Sequence, residues 1–158
     1  MKHSEDCVLI KAEVASIFAY ADDHANLSSH MAQSSWMMGG GRMEIKSDDG
    51  YGQRVGSHIR LSGKVLGMLI FLDEVVTIHK SPFFKTWETV GDIRLLVIGH
   101  YRMGFEIKPQ RDHSSFRVFI DYDLPLVNAW LGRLFGGFYA RWCVTQMING
   151  ARNHFLPK

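Results

Sequence analysis

Residues 116–125 read FRVFIDYDLP, and residues 126–155 read LVNAWLGRLFGGFYARWCVTQMINGARNHF. In the first segment Phe116, Val118, Ile120 and Tyr122 alternate with Arg117, Asp121 and Asp123, the period of a strand with one covered face; Phe119 is the exception. Asp123 is placed to cap a helix, and Pro125 falls in its first turn, where a missing N–H costs nothing. The second segment is long and apolar enough to be one helix running to about Phe155, roughly 45 Å, with a bend predicted at Gly136-Gly137. A strand that passes straight into such a helix predicts an α+β domain whose sheet is covered by the helix. On a helical wheel Val127, Trp130, Leu131, Leu134, Phe135, Phe138, Trp142 and Ile148 form the stripe expected to be buried, and Arg141, Thr145 and Asn149 fall on it too. Opposite lie Gly132, Gly136, Ala140 and Cys143, a small-residue row that reads as a solvent face or, alternatively, as a homodimer contact.

Upstream, the same alternation recurs. Between Arg94 and Lys108, Leu95, Val97, Tyr101, Met103, Phe105 and Ile107 share one face, and Arg94, His100, Arg102, Glu106 and Lys108 the other. Turn signals at Asp48-Asp49-Gly50, Ser81-Pro82, Gly91-Asp92 and within 108–115 divide residues 42–123 into a meander of about six strands. Before it, residues 7–12 read as a first strand. Val14, Ile17, Phe18 and Ala21 give a short amphipathic helix that stops at Asp22-Asp23, and a second helical turn is predicted over His24 to Met31. Gly39-Gly40-Gly41 reads as a loop, and no Lys-Ser or Lys-Thr follows to make it a phosphate loop.

Composition narrows the function classes. The 158 residues fit one domain, 1–158, with 46% apolar and 12% aromatic residues. Eighteen Lys and Arg against 16 Asp and Glu, with no like-charge block, argue against a nucleic-acid partner. Cys7 and Cys143 stand alone and are read as reduced thiols; the eight histidines show no metal-ligand spacing, and nothing calls for a cofactor. The N-terminus lacks the apolar run of a signal peptide, and the longest apolar stretch, Val65 to Leu72, is too short to span a bilayer. The sequence therefore predicts a cytoplasmic protein without stable membrane insertion.

The order of strand, two short helices, six-strand meander and long terminal helix resembles the START-like (SRPBCC) superfamily, most of all its polyketide cyclase/dehydrase and lipid-transport group. The resemblance is carried by Val14 to Phe18 leading to Asp22-Asp23-His24-Ala25-Asn26-Leu27, by Arg54-Val55-Gly56, by Pro82 before the strand holding Trp87-Glu88, and by Tyr122-Asp123-Leu124-Pro125. It implies a helix-grip fold: a curved antiparallel sheet of about seven strands around a long C-terminal helix, with a cavity between them for lipids, polyketides or isoprenoid-like compounds. It brings no shared catalytic motif, and some members are protein-interaction modules.

A cavity of this kind needs a few polar groups to orient its ligand, and the two periodicities nominate Glu74, Tyr101 and Tyr122 from the sheet and Arg141 and Thr145 from the helix. Trp87, Met103, Trp130, Leu134 and Phe138 are the expected apolar lining. Arg141, if buried, requires a partner such as Glu74, which shares strand parity with Ile70, Leu72 and Val76, or an anionic ligand. Trp36, Met37 and Met38 are candidates for a gate at the mouth. The absence of a recognisable catalytic set favours a non-catalytic carrier over a cyclase, aromatase or dehydratase, for which Glu74 or a histidine would be the base and Tyr101, Tyr122 or Arg141 the enolate stabiliser.

Overall fold

The computed structural model describes residues 1–29, 42–65 and 67–157. Strand β1 (Lys2–Ile10) leads into helices α1 (Val14–Asp22) and α2 (His24–Leu27), followed by β2 (Arg42–Ser47), β3 (His58–Val65), β4 (Met68–Lys80), β5 (Phe84–Arg94), β6 (Tyr101–Gln110) and β7 (His113–Tyr122). The C-terminal helix α3 comprises Ala129–Leu131, a π-helical turn at Gly132–Gly136, and Gly137–His154. All seven strands form one antiparallel sheet in the order β1-β7-β6-β5-β4-β3-β2, so this is the α+β helix-grip architecture that the sequence predicts.

The alternating faces place the core. Tyr101, Met103, Phe105 and Ile107 of β6 and Phe116, Val118, Ile120 and Tyr122 of β7 are all buried. Register shifts in β4 between Phe71 and Asp73 and between Val76 and Ile78 supply the local kinks that curve a sheet. Phe119, the exception to the alternation, stacks on Phe84 on the other face with the Arg117 guanidinium 4.9 Å above its ring. Buried Ile17, Phe18 and Ala21 seat α1 on the sheet, with Phe18 edge-on to Phe105. The seat is fastened by charge: the fully buried Lys85 ammonium donates to the Asp22 carboxylate at 2.8 Å and to the Asp22 carbonyl at 3.2 Å, and His79 Nε2 lies 2.9 Å from the same carboxylate.

Three expectations are corrected. The face from Arg94 to Lys108 is not one strand: β5 ends at Arg94 and residues 95–100 form a connection. Asp123 caps no helix, because its N–H donates to the His100 carbonyl at 2.9 Å and its own carbonyl accepts from Gly99 N–H at 2.7 Å; the chain then bends through residues 126–128, and α3 starts at Ala129.

The third concerns the first half of α3, where the faces are the reverse of the wheel reading; further along, Ile148 is buried and Trp142 packs against the core as that reading has them. The small row is inside: a Cβ on Gly132 would lie 2.5 Å from Pro125 Cδ, and one on Gly136 would lie 2.8 Å from the Val97 carbonyl oxygen, so only glycine admits this approach. Ala140, Cys143, Val144, Met147, Ile148 and Ala151 continue the buried face. Val127, Trp130, Leu134, Phe135 and Phe138 consequently point outward. Arg141 is exposed and does not reach Glu74. The small-residue row is thus occupied by this chain's own backbone and is not free to admit a second copy. A π turn at Gly132–Gly136, which adds a residue to one helical turn, ends where the sequence predicts a bend.

The connection from β2 to β3 is held by Asp48, whose carboxylate accepts from His58 N–H at 2.8 Å, the Ser57 hydroxyl at 2.6 Å and Gly50 N–H at 3.0 Å. These bonds, that from His58 first, bring its pKa from 3.8 down to about 2. A depressed carboxylate stabilises the folded state above its unfolded pKa, and the contribution is lost as pH falls from 3.8 through about 2. Asp48→Asn should therefore lower stability by a constant amount above pH 3.8 and flatten the acid limb, so that variant and wild type converge as pH falls toward about 2, measured as the denaturant midpoint at each pH.

Candidate functional site

Strand register determines what faces α3. Glu74 stands between Leu72 and Val76 on the buried parity of β4 and is paired with Ile59 and Thr89 on the neighbouring strands, so its carboxylate is carried to the inner side of the sheet. Trp87 of β5 and Tyr101 and Met103 of β6 take the same side. Where β6 parts from β5, the Thr89 hydroxyl accepts from Tyr101 N–H at 3.1 Å and fixes the start of the strand. On the other wall, the Asp23 side chain accepts from Ala25 N–H at 3.1 Å and caps α2, turning His24 inward to meet Trp87 edge-on at 5.1 Å.

These residues enclose a cavity between β4, β5, β6, β7 and α3. Leu72, Trp87, Leu95, Ile98, Met103, Ile120 and Met147 give it an apolar lining; His24, Ser28, Glu74, Tyr101, Tyr139 and Cys143 are the polar members. Counted with its mouth it holds about 420 Å³ between atoms, of which about 30 Å³ is room for the centres of water-sized molecules. That suffices for one or two waters, so a larger guest needs side chains to withdraw. Unbranched Met103 and Met147 are suited to doing so.

At the centre of the polar members, His24 Nε2 lies 3.6 Å from Glu74 Oε1, both side chains almost wholly buried. This is an ion-pair distance but too long for a good hydrogen bond. His24 Nδ1 and Glu74 Oε2 are buried without a hydrogen-bond partner among the described residues. Burial, and then the nearby Glu74 carboxylate, hold the Tyr101 phenol well above its usual range, so it stays protonated and able to donate. Burial pushes the Cys143 thiol up to about 12 and so suppresses thiolate chemistry there. A carboxylate, an imidazole and a phenol thus converge in one apolar cavity, able to bind a polar head group or to move a proton.

No family model and no curated protein matches the sequence. Solved structures do match in three dimensions. Truncated norcoclaurine synthase from Thalictrum flavum superposes with a TM-score of 0.70 at 12% identity, over 99% of this chain and 94% of that one. A Thermus thermophilus protein gives 0.69 at 11% identity, over 98% and 97%. Ara h 8.0201 gives 0.62 at 9% identity, again over 98% and 97%. The chain shares the fold of these structures, with its sheet and terminal helix placed alike across nearly the whole of each chain. At such identities the likeness is one of fold.

Within this frame, the structure brings together Glu74, Trp87, Tyr101 and Met103 of the residues nominated from sequence. Tyr122 is buried in the sheet but does not line the cavity. Trp130, Leu134, Phe138 and Arg141 stand on the outer side of α3, and Thr145 is half-buried away from the lining. Trp36, Met37 and Met38 lie outside the described residues, as does the end of the predicted second helix. His24 was not nominated. The signal for it was present: buried Ile17, Ala21, His24 and Ser28 recur at helical spacing across the Asp22-Asp23 interruption.

Proposed function

We propose that the chain binds a hydrophobic small molecule, of lipid, polyketide or isoprenoid-like chemistry, in the cavity between the sheet and α3. The observation that carries this is the pair of buried atoms without a hydrogen-bond partner among the described residues, His24 Nδ1 and Glu74 Oε2, in a cavity also lined by Leu72, Trp87, Leu95, Ile98, Met103, Ile120 and Met147. Leaving such atoms unpaired costs about 1–3 kcal/mol each, and a ligand with one hydroxyl or carbonyl in its head relieves that cost while its apolar body displaces the methionines. No helix among the described residues is long and apolar enough to cross a membrane.

Native followed by denaturing mass spectrometry of the purified protein tests for a retained apolar compound. In parallel, titration with a fluorescent fatty acid should saturate, and Glu74→Leu should weaken it roughly tenfold or more, the worth of a hydrogen bond to a charged group. A protein that is empty and also binds no apolar probe would sink the reading.

One arrangement favours a second reading. A carboxylate beside an imidazole, with the protonated Tyr101 phenol close to that carboxylate, is a set able to take a proton next to a carbonyl and to steady the enolate, the chemistry of a polyketide cyclase or dehydratase. Tyr101→Phe that still binds such a substrate but no longer turns it over would select this reading; a carrier shows no turnover in either form.

A further inference from the structure

The outer side of α3 and the segment before it carry Leu126, Val127, Trp130, Leu134, Phe135 and Phe138, exposed by between 51% for Phe135 and 98% for Leu126. Single exposed apolar residues are ordinary, but six large ones within one helix and its approach form a patch of the kind that marks an interaction surface. The packing explains why they cannot turn inward. Gly132 and Gly136 are pressed against Pro125 and the Val97 carbonyl, so the side chains between and beside them are committed to the outside.

We propose that this patch docks the protein on the surface of an anionic lipid bilayer. Charge selects the occupant. The sequence contains no Asp or Glu from Leu124 to its end, while Arg133 and Arg141 are exposed on the same helix as the patch. Trp, Phe and Leu flanked by arginine are the composition of a helix that lies in a membrane interface, apolar side down and guanidinium groups among the phosphates. A second copy of this chain fits less well. A two-fold contact through this face would offer Arg133 and Arg141 no carboxylate from the same segment of the partner, which has none from Leu124 onward. The docking proposal goes beyond the ligand-binding reading and stands whether or not a ligand is found.

The test is flotation of the full chain with vesicles of phosphatidylcholine alone and of phosphatidylcholine mixed with phosphatidylglycerol, with light scattering of the free protein alongside. The wild type should float with the mixed vesicles, less with the neutral ones, and detach as salt is raised. The combined Val127→Ser, Trp130→Ser and Leu134→Ser variant should lose at least tenfold in vesicle binding. Its melting should be unchanged, because more than half of each side chain removed is exposed. Arg133→Gln and Arg141→Gln should each weaken binding about fivefold on the mixed vesicles. No flotation of the wild type on anionic vesicles, or flotation that the triple variant retains, overturns the proposal. So does a wild-type dimer that the triple variant converts to monomer, which would make the patch a contact between copies.

Discussion

Asp22→Ala is expected to lower the unfolding free energy by about 3–5 kcal/mol, the cost of leaving a buried charge without its partner. Lys85 has no exposed surface, its ammonium donates to Asp22 through both the carboxylate and the main-chain carbonyl, and His79 shares that carboxylate. Burial already pulls the Lys85 pKa below its usual value, with Asp22 the strongest group acting against that pull; deleting Asp22 removes it and leaves the desolvation. Lys85→Met should cost much less, since Asp22 keeps its contact with His79 and a methionine can fill the space. Urea denaturation of the two variants provides the comparison. Equal and small losses would mean that the ammonium finds other partners once α1 shifts.

Trp87→Ala should cost about 3–5 kcal/mol as well, from lost burial and from the void left behind. Trp87 is one of the largest fully buried side chains, touches His24 and Phe105 edge-on, and forms part of the cavity wall. The same substitution enlarges the cavity, so at temperatures where the variant remains folded it should take up more of an apolar dye per molecule than the wild type. Loss of stability with no gain in dye uptake would show that the wall collapses into the gap.

The sheet was legible because its two-residue period is read locally: whichever face of β6 or β7 is apolar must be inside, and no distant fact can alter that. Buried Glu74, Trp87, Tyr101 and Met103 follow from that parity alone. The helix faces were not legible for the opposite reason. A wheel assumes that the larger apolar stripe is the buried one. In α3, however, the inner face is set by how closely Val97 and Pro125 approach, and this selects Gly132 and Gly136 over Leu134 and Phe138. The π turn compounds the error, since a wheel drawn at constant angle loses phase across Gly132–Gly136. His24 was hidden by a break in the helix. Asp23 ends one helix and caps the next, and the spacing that links Ile17 and Ala21 to His24 continues through that break.

The order of the strands also has a consequence in time. The partner of β1 is β7, paired from Lys2 with Tyr122 to Ile10 with Ser114, and the two are further tied by the Ser114 hydroxyl donating to the Ala12 carbonyl. During synthesis the first strand leaves the ribosome with a partner that has not yet been made, and every hairpin between β2 and β7 can zip before it. The N-terminal strand must then be kept from pairing with other chains until His113–Tyr122 emerges. The alternation of exposed and covered residues along β1, with Lys2, His3, Glu5 and Asp6 near its start, supplies charge along an edge that would otherwise be open while it waits.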